Sequence, residues 1–394
     1  MQVSKLRRVL ASSLVVAAVG LGLAACQPPD DWYAATPSLS GRSNGDVLQT
    51  YVTNFGLNGA VTSTAVMYRS TDALGQPNRV TGTVLVPTAA WTGAGPRPIV
   101  SFAVGTQGVG DTCAPSKNMT TGLNYEQANI QALLDQGWAV AVTDYAGLGT
   151  PGIHTYVIKD DEGHAVIDIV RAAMRLPGSG IASNAPVGFY GYSQGGGAVA
   201  AAAELEASYA PELNVRGTAA GGVPADLAKV AANLNGPGNF YFAFLAFAAL
   251  GLDQAYPELD LESYLNDTGR SLLEQAKASC IVDGLLLGAG RTIESLTTTN
   301  PLTTPQWQAR IDQQRIGRVK PAAPVLQLHA GSDEIVPYGQ GQTLRDDWCA
   351  RGARVRFVAV AGQTHLGAMG ALGTEGIPFL RSLLTGQAVT TTCN

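Results

Sequence analysis

Apolar residues in this chain fall into short unbroken runs separated by helical stretches, and that rhythm predicts a mostly parallel sheet. Residues 98–104, 138–143 and 185–190 are each almost wholly apolar, the mark of strands buried on both faces. Between them, residues 124–136 and 156–176 read as helices. In the second, Val157, Ala165, Ile167, Val170 and Ala173 recur near helical spacing. Ahead of these, residues 61–69 alternate apolar and polar, and residues 79–87 are suited to pair with them as a hairpin. Strand, helix, strand, helix predicts an α/β fold, doubly wound about a mostly parallel sheet.

The rhythm stops at Val223. From 223 to 320 strand-like runs vanish, and helical segments such as 240–250 and 284–293 replace them. Strands resume at 323–329 and 354–360. The expected organisation is one α/β core over 47–222 and 321–394, interrupted by a helical cap at 223–320. The competing division is an independent second domain in that stretch. In the cap, Phe240, Tyr241, Phe242, Phe244 and Phe247 form an aromatic cluster, either the lining of a binding cavity or plain core.

The N-terminus is a targeting signal, not a structural element. Lys5, Arg7 and Arg8 precede an apolar stretch from Val9 to Ala25, so residues 1–25 are expected to be a cleaved signal peptide. Leu23-Ala24-Ala25-Cys26 is similar to a bacterial lipobox, which would make Cys26 the lipidated first residue and an anchor to a membrane. An ordinary secretory signal with a chance cysteine is the other reading. Residues 26–46, rich in Pro, Ser, Asp and Gly, read as a lipidated tether. Losing three basic residues takes the formal charge from −5 to −8. No basic patch remains of the kind nucleic acid requires, which excludes that class of partner. Five cysteines leave one odd in an exported chain. With Cys26 lipidated, Cys113, Cys280, Cys349 and Cys393 remain for two disulfides. No CxxC motif or His/Cys cluster predicts a metal site.

The chemistry centres on Gly191-Tyr192-Ser193-Gln194-Gly195. G-x-S-x-G between a strand and a helix is the nucleophile elbow, a turn so tight that glycines must flank the serine at two residues' distance. Ser193 then sits over a helix N-terminus, where developing negative charge is favoured. Its base and acid should follow in the order Ser, acid, His. Of four histidines, His154 and His164 precede the serine and His329 lies in an apolar run, which leaves His365 in a glycine-bounded loop after the last strand. The acid is expected in the loop after the preceding strand, where Asp333 is chosen and Glu334 is its neighbour and rival. An oxyanion hole needs two backbone N–H groups. Gln194 supplies one, and the loop Gly105-Thr106-Gln107-Gly108 the other.

With these residues in view the chain resembles the secretory lipase family. Cys113-Ala114-Pro115-Ser116, Tyr209-Ala210-Pro211-Glu212-Leu213-Asn214 and Asp333-Glu334-Ile335-Val336-Pro337-Tyr338 are similar to the family's patterns, and the resemblance runs from Val47 to Asn394. It implies an α/β-hydrolase fold and a serine hydrolase of carboxylic esters and lipids. Ser193, Asp333 and His365 would be its triad, and it would need no cofactor. It also implies Gln107 as the second oxyanion donor, and disulfides Cys113–Cys280 and Cys349–Cys393. Gln107 and Gln194 stand where the family's yeast representative has aspartate and glycine; a backbone donor tolerates the first change, and the second tightens the space beside the nucleophile. The same triad also serves acyltransferases and small-ester carboxylesterases, and a ligand-binding surface lipoprotein is the non-enzymatic alternative.

Overall fold

The computed structural model describes residues 27–55, 57–121 and 124–393. The expected signal peptide and Cys26 lie outside the described residues. Nine strands form one sheet: β1 (Val47–Thr53), β2 (Val61–Thr71), β3 (Pro77–Pro87), β4 (Ile99–Ala103), β5 (Ala139–Ala146), β6 (Val187–Tyr192), β7 (Val215–Gly221), β8 (Val325–Ala330) and β9 (Val355–Val360). Their spatial order is β1-β2-β3-β5-β4-β6-β7-β8-β9. The hairpin β2–β3 and its flanks pair antiparallel, and every pair from β5 to β9 is parallel. This is an α/β-hydrolase arrangement, with β4 and β6 at the centre.

Burial explains the runs. β4, β5, β6 and β8 are buried at every position, as strands covered by helices on both faces must be. Helices Lys159–Arg175 and Gln194–Tyr209 pack side by side on one face. There the Ser101 hydroxyl donates to the Val166 carbonyl at 2.7 Å. Helix Met369–Leu384 covers the other face, where Leu380 closes on Gly188. The long helix begins at Lys159 rather than 156, because Val157 takes a left-handed φ of 56° and ends the preceding turn. Its first turn carries Asp160, an acidic residue of the kind favoured at a helix N-terminus.

Two sequence expectations need correction. The stretch read as a tether contains the helix Asp30–Ala34, whose Trp32 and Tyr33 are buried. The Tyr33 hydroxyl bonds Ser116 Oγ at 2.9 Å, and Lys117 lies over its ring, so two aromatics dock what the polar composition reads as loose. The segment 284–293 is not one helix. It splits into Ile281–Gly288 and Ile293–Leu296, because Gly290 adopts φ 73° between them.

Between β7 and β8 the described residues contain helices and no strand. Several begin at side-chain caps. Asp226 accepts from Lys229 N, Asn266 from Gly269 N, and Thr292 forms a capping box with Ser295. This insertion carries its own apolar cluster, built around Phe247, Leu250, Leu273 and Trp307. The disulfide Cys113–Cys280 joins it to the loop after β4, and Cys349–Cys393 ties the C-terminal tail to the helix Tyr338–Ala350, the pairing the resemblance implies.

Candidate active site

The elbow is built from close approaches that leave no room for side chains. A Cβ on Gly195 would fall 2.0 Å from the Ala103 carbonyl oxygen, and one on Gly191 would fall 2.3 Å from that of Gly195. Gly196 meets the Gly221 carbonyl in the same way, at 2.1 Å. The helix N-terminus is thereby wedged between the ends of β4, β6 and β7. Ser193, at the point of the turn, takes φ 59° and ψ −121°. A non-glycine residue there costs about 1–3 kcal/mol and persists only where its surroundings force it.

Three side chains meet at this turn. His365 Nε2 lies 2.8 Å from Ser193 Oγ, and His365 Nδ1 lies 2.7 Å from Asp333 Oδ2. The second contact assigns the proton to Nδ1, which leaves Nε2 free to accept from the serine hydroxyl. The Asp333 side chain is fully buried, and its Oδ1 accepts the N–H groups of Ile335 and Val336 at 3.1 and 2.7 Å. Glu334 faces elsewhere. Its carboxylate accepts the His365 backbone N–H at 2.9 Å, so it holds the loop and leaves the ring to Asp333. His329 is buried behind them and its Nε2–H donates to the Val336 carbonyl at 2.9 Å; burial lowers its pKa, so it is a neutral structural donor.

Opposite the elbow, the loop after β4 is fastened along its length. Gly105 N–H donates to Glu126 at 2.8 Å, Tyr125 Oη donates to the Thr106 carbonyl at 2.9 Å, and Ile281 N–H donates to the Gln107 carbonyl at 2.8 Å. The Gln107 carboxamide is held too, by Asn124 at 2.6 Å and the Gly105 carbonyl at 3.0 Å. Burial pushes the Glu126 carboxyl up to about 7. Gly108 and Gly110 lie so close to the 278–280 backbone that a Cβ on either would come within 2.6 Å of it. Among the described residues, the Gln107 and Gln194 backbone N–H groups have no acceptor.

A cavity of about 120 Å³ opens beside Ser193 and Gln194, walled by apolar residues of the insertion that include Phe242, Phe244, Leu245 and Ala249. Of the five aromatics singled out in the sequence, Phe242 and Phe244 line it. Phe247 is buried core, Phe240 is 46% exposed, and Tyr241 reaches Glu334. Asp144 and Tyr145 are structural: Asp144 accepts from Thr81 and Ser116, and Tyr145 Oη donates to the Val104 carbonyl. Among the described residues no cluster of His, Cys, Asp and Glu could hold a metal ion.

Sequence reasoning passed over one group. His154 and Glu162 are buried beneath the elbow and both touch the Gln194 side chain. Their order before the serine excluded His154 as the base, and no local pattern in the sequence links either residue to Gln194.

Comparison with known proteins finds relatives that cover most of the chain. A secretory lipase family profile matches residues 113–388. The chain is similar to the secreted triacylglycerol lipase LIP7 of Malassezia globosa, at 32% identity over 93% of this chain and 80% of that protein. It is also 31% identical to a "probable inactive lipase" of Mycobacterium tuberculosis, over 75% of this chain and 68% of that one. The crystal structure of Candida antarctica lipase A in its closed state superposes with a TM-score of 0.84, at 26% identity over 93% of this chain and 89% of that one.

Proposed function

The chain belongs to the secretory lipase family, and we propose that it is a serine carboxylic-ester hydrolase acting on triacylglycerols and related esters. The observation that carries this reading is the unbroken run of hydrogen bonds Ser193–His365–Asp333 at the mouth of an apolar cavity. Sequence similarity extends to a probable inactive lipase as well, so the reading rests on this geometry and not on likeness alone.

In the proposed mechanism His365 takes the Ser193 proton as the oxygen attacks the ester carbonyl, and Asp333 stabilises the imidazolium. The N–H groups of Gln107 and Gln194 receive the oxyanion, each contributing about 3 kcal/mol to the barrier reduction. His365 then protonates the departing alcohol. Water attacks the acyl-enzyme with His365 again as base, and Ser193 is restored. All these groups come from the chain, so no cofactor enters the scheme.

The insertion 223–320 is proposed as the cap whose apolar wall receives the acyl chain. Residues 1–25 are proposed as an export signal, with Cys26 the site of a lipid anchor. Hydrolysis of a panel of nitrophenyl esters and of emulsified tributyrin tests the reading. Hydrolysis of both supports it. Inactivity across the panel would place the chain with the inactive relative. Activity on acetyl esters alone would make it a small-ester carboxylesterase.

A further inference from the structure

We propose that one largely buried segment, residues 154–162, sets the spacing of the oxyanion hole by gripping both of its walls: His154 and Glu162 hold Gln194, and Tyr156 holds Thr106. Gln194 Nε2 lies 2.7 Å from Glu162 Oε1 and 2.9 Å from His154 Nε2. His154 Nδ1 faces the Ala146 carbonyl at 3.0 Å, so the proton sits on Nδ1 and Nε2 accepts from Gln194. On the other wall, Tyr156 Oη lies 2.7 Å from Thr106 Oγ1, one residue before Gln107. The two N–H donors belong to different elements, the loop after β4 and the helix Gln194–Tyr209, and this segment is bonded to both.

The segment is itself held tightly. Glu162 Oε1 also accepts the Val157 N–H at 2.9 Å, and Val157 is a β-branched residue at φ 56°. Such a conformation is an outlier that persists only where its surroundings impose it, and it clusters at functional sites. The His154 ring stacks on Tyr145 at 5.6 Å and meets Tyr156 edge-on at 5.9 Å. Burial lowers the His154 pKa to about 4 and raises that of Glu162 to about 8, so near neutrality the imidazole is uncharged and Glu162 largely keeps its proton. Both act as hydrogen-bond partners of fixed geometry.

A buried carboxamide requires partners for its N–H groups. Here the partners fix the residue whose backbone N–H points at the reaction. Oxyanion donors are effective only when preorganised, and a displacement of about 1 Å can cost about 100-fold in rate. His154, Tyr156 and Glu162 are therefore positioning residues for the transition state. Glu162 and His154 bear on it through Gln194, and Tyr156 through Thr106.

The proposal rests on Ser193 and the two N–H groups acting as described above, and the test separates the two. Glu162→Leu, Glu162→Gln, Tyr156→Phe and Ser193→Ala are compared by kcat and KM on nitrophenyl butyrate. Melting temperature is recorded, as is inhibition by a trifluoromethyl ketone, which forms an oxyanion on the serine. Glu162→Leu and Tyr156→Phe should each lower kcat about tenfold and weaken the ketone by a similar factor, with KM within about twofold. Gln at 162 keeps an acceptor for Gln194 and should recover most of what Leu loses. Folded Tyr156→Phe and Glu162→Leu proteins with undiminished kcat and ketone affinity would overturn the proposal, as would a loss confined to KM. If Glu162→Leu does not fold, Tyr156→Phe decides, since it removes a single hydroxyl. Activity surviving in Ser193→Ala would overturn the mechanism itself. A dead Ser193→Ala beside an unaffected Tyr156→Phe would overturn only the positioning role.

Discussion

The Tyr192 hydroxyl donates to the backbone carbonyl of His365 at 2.5 Å, so the residue just before the proposed nucleophile holds the loop that carries the proposed base. The two rings sit 5.2 Å apart, and Gly222 packs against both. Serine and histidine are 172 residues apart in sequence, and this bond couples their positions directly. Tyr192→Phe keeps the ring and loses only the hydroxyl. A net hydrogen bond contributes about 1 kcal/mol, so kcat should fall about fivefold with KM little changed. Steady-state kinetics on nitrophenyl butyrate checks this; unchanged kcat would show that the loop is held by other means.

Asp333 and Glu334 are adjacent carboxylates with different predicted consequences. Asp333→Asn should lower kcat by about 10⁴, because the wrong tautomer of His365 is then favoured. Ser193→Ala and His365→Ala should cost more, about 10⁶, leaving only what binding and the oxyanion donors supply. Glu334→Gln can still accept the His365 N–H and should cost less than about tenfold. Equal losses at 333 and 334 would contradict the assignment of the acid.

Stability should fall as pH rises above neutral. Burial raises Glu126, Asp161 and Glu206 to about 7, Asp144 to about 6 and Glu162 to about 8. In the unfolded chain these groups ionise near pH 4, so the folded state holds more protons across the interval between. Their contribution is full below pH 4 and is lost as pH rises through 6 to 8. Buried His154 and His329 act in the opposite sense, but only below pH 6.5, where the unfolded chain would protonate them. The melting temperature should therefore decline between pH 6.5 and 8.5. Glu162→Gln, with no charge to bury, should flatten the decline; a flat or rising wild-type profile would contradict the account.

Acyl specificity should follow the apolar wall of the insertion. Each buried CH₂ contributes about 0.8 kcal/mol, about fourfold in kcat/KM, so the ratio should climb from acetate through butyrate to octanoate. Ala249 lines the cavity. Ala249→Phe should depress octanoate more than butyrate, and equal losses on both esters would place the acyl chain elsewhere.

The candidate site was legible in sequence where local geometry dictates residue type. The glycines around Ser193 are required by carbonyl contacts of 2.0 to 2.3 Å, and four histidines left a short elimination. The central strands were legible because burial on both faces leaves few polar residues in β4, β5 and β6. β1 was not, because it is an edge strand of mixed exposure, with Val52 82% exposed, and its order comes from pairing with β2. The docked helix Asp30–Ala34 escaped because only Trp32 and Tyr33 anchor it among polar neighbours. The grip of His154 and Glu162 on Gln194 escaped for a different reason. These contacts span 40 and 32 residues, and nothing in the local pattern of either partner announces the other.

The central claim is that Ser193 is the nucleophile, and covalent labelling tests it most directly. The protein is treated with a serine-directed organophosphate, its mass is measured intact, and the modified peptide is sequenced. One adduct per chain is predicted, on the peptide bearing Ser193, appearing in step with loss of esterase activity and absent from Ser193→Ala. An adduct on another residue, or full ester hydrolysis by completely labelled protein, would contradict the account.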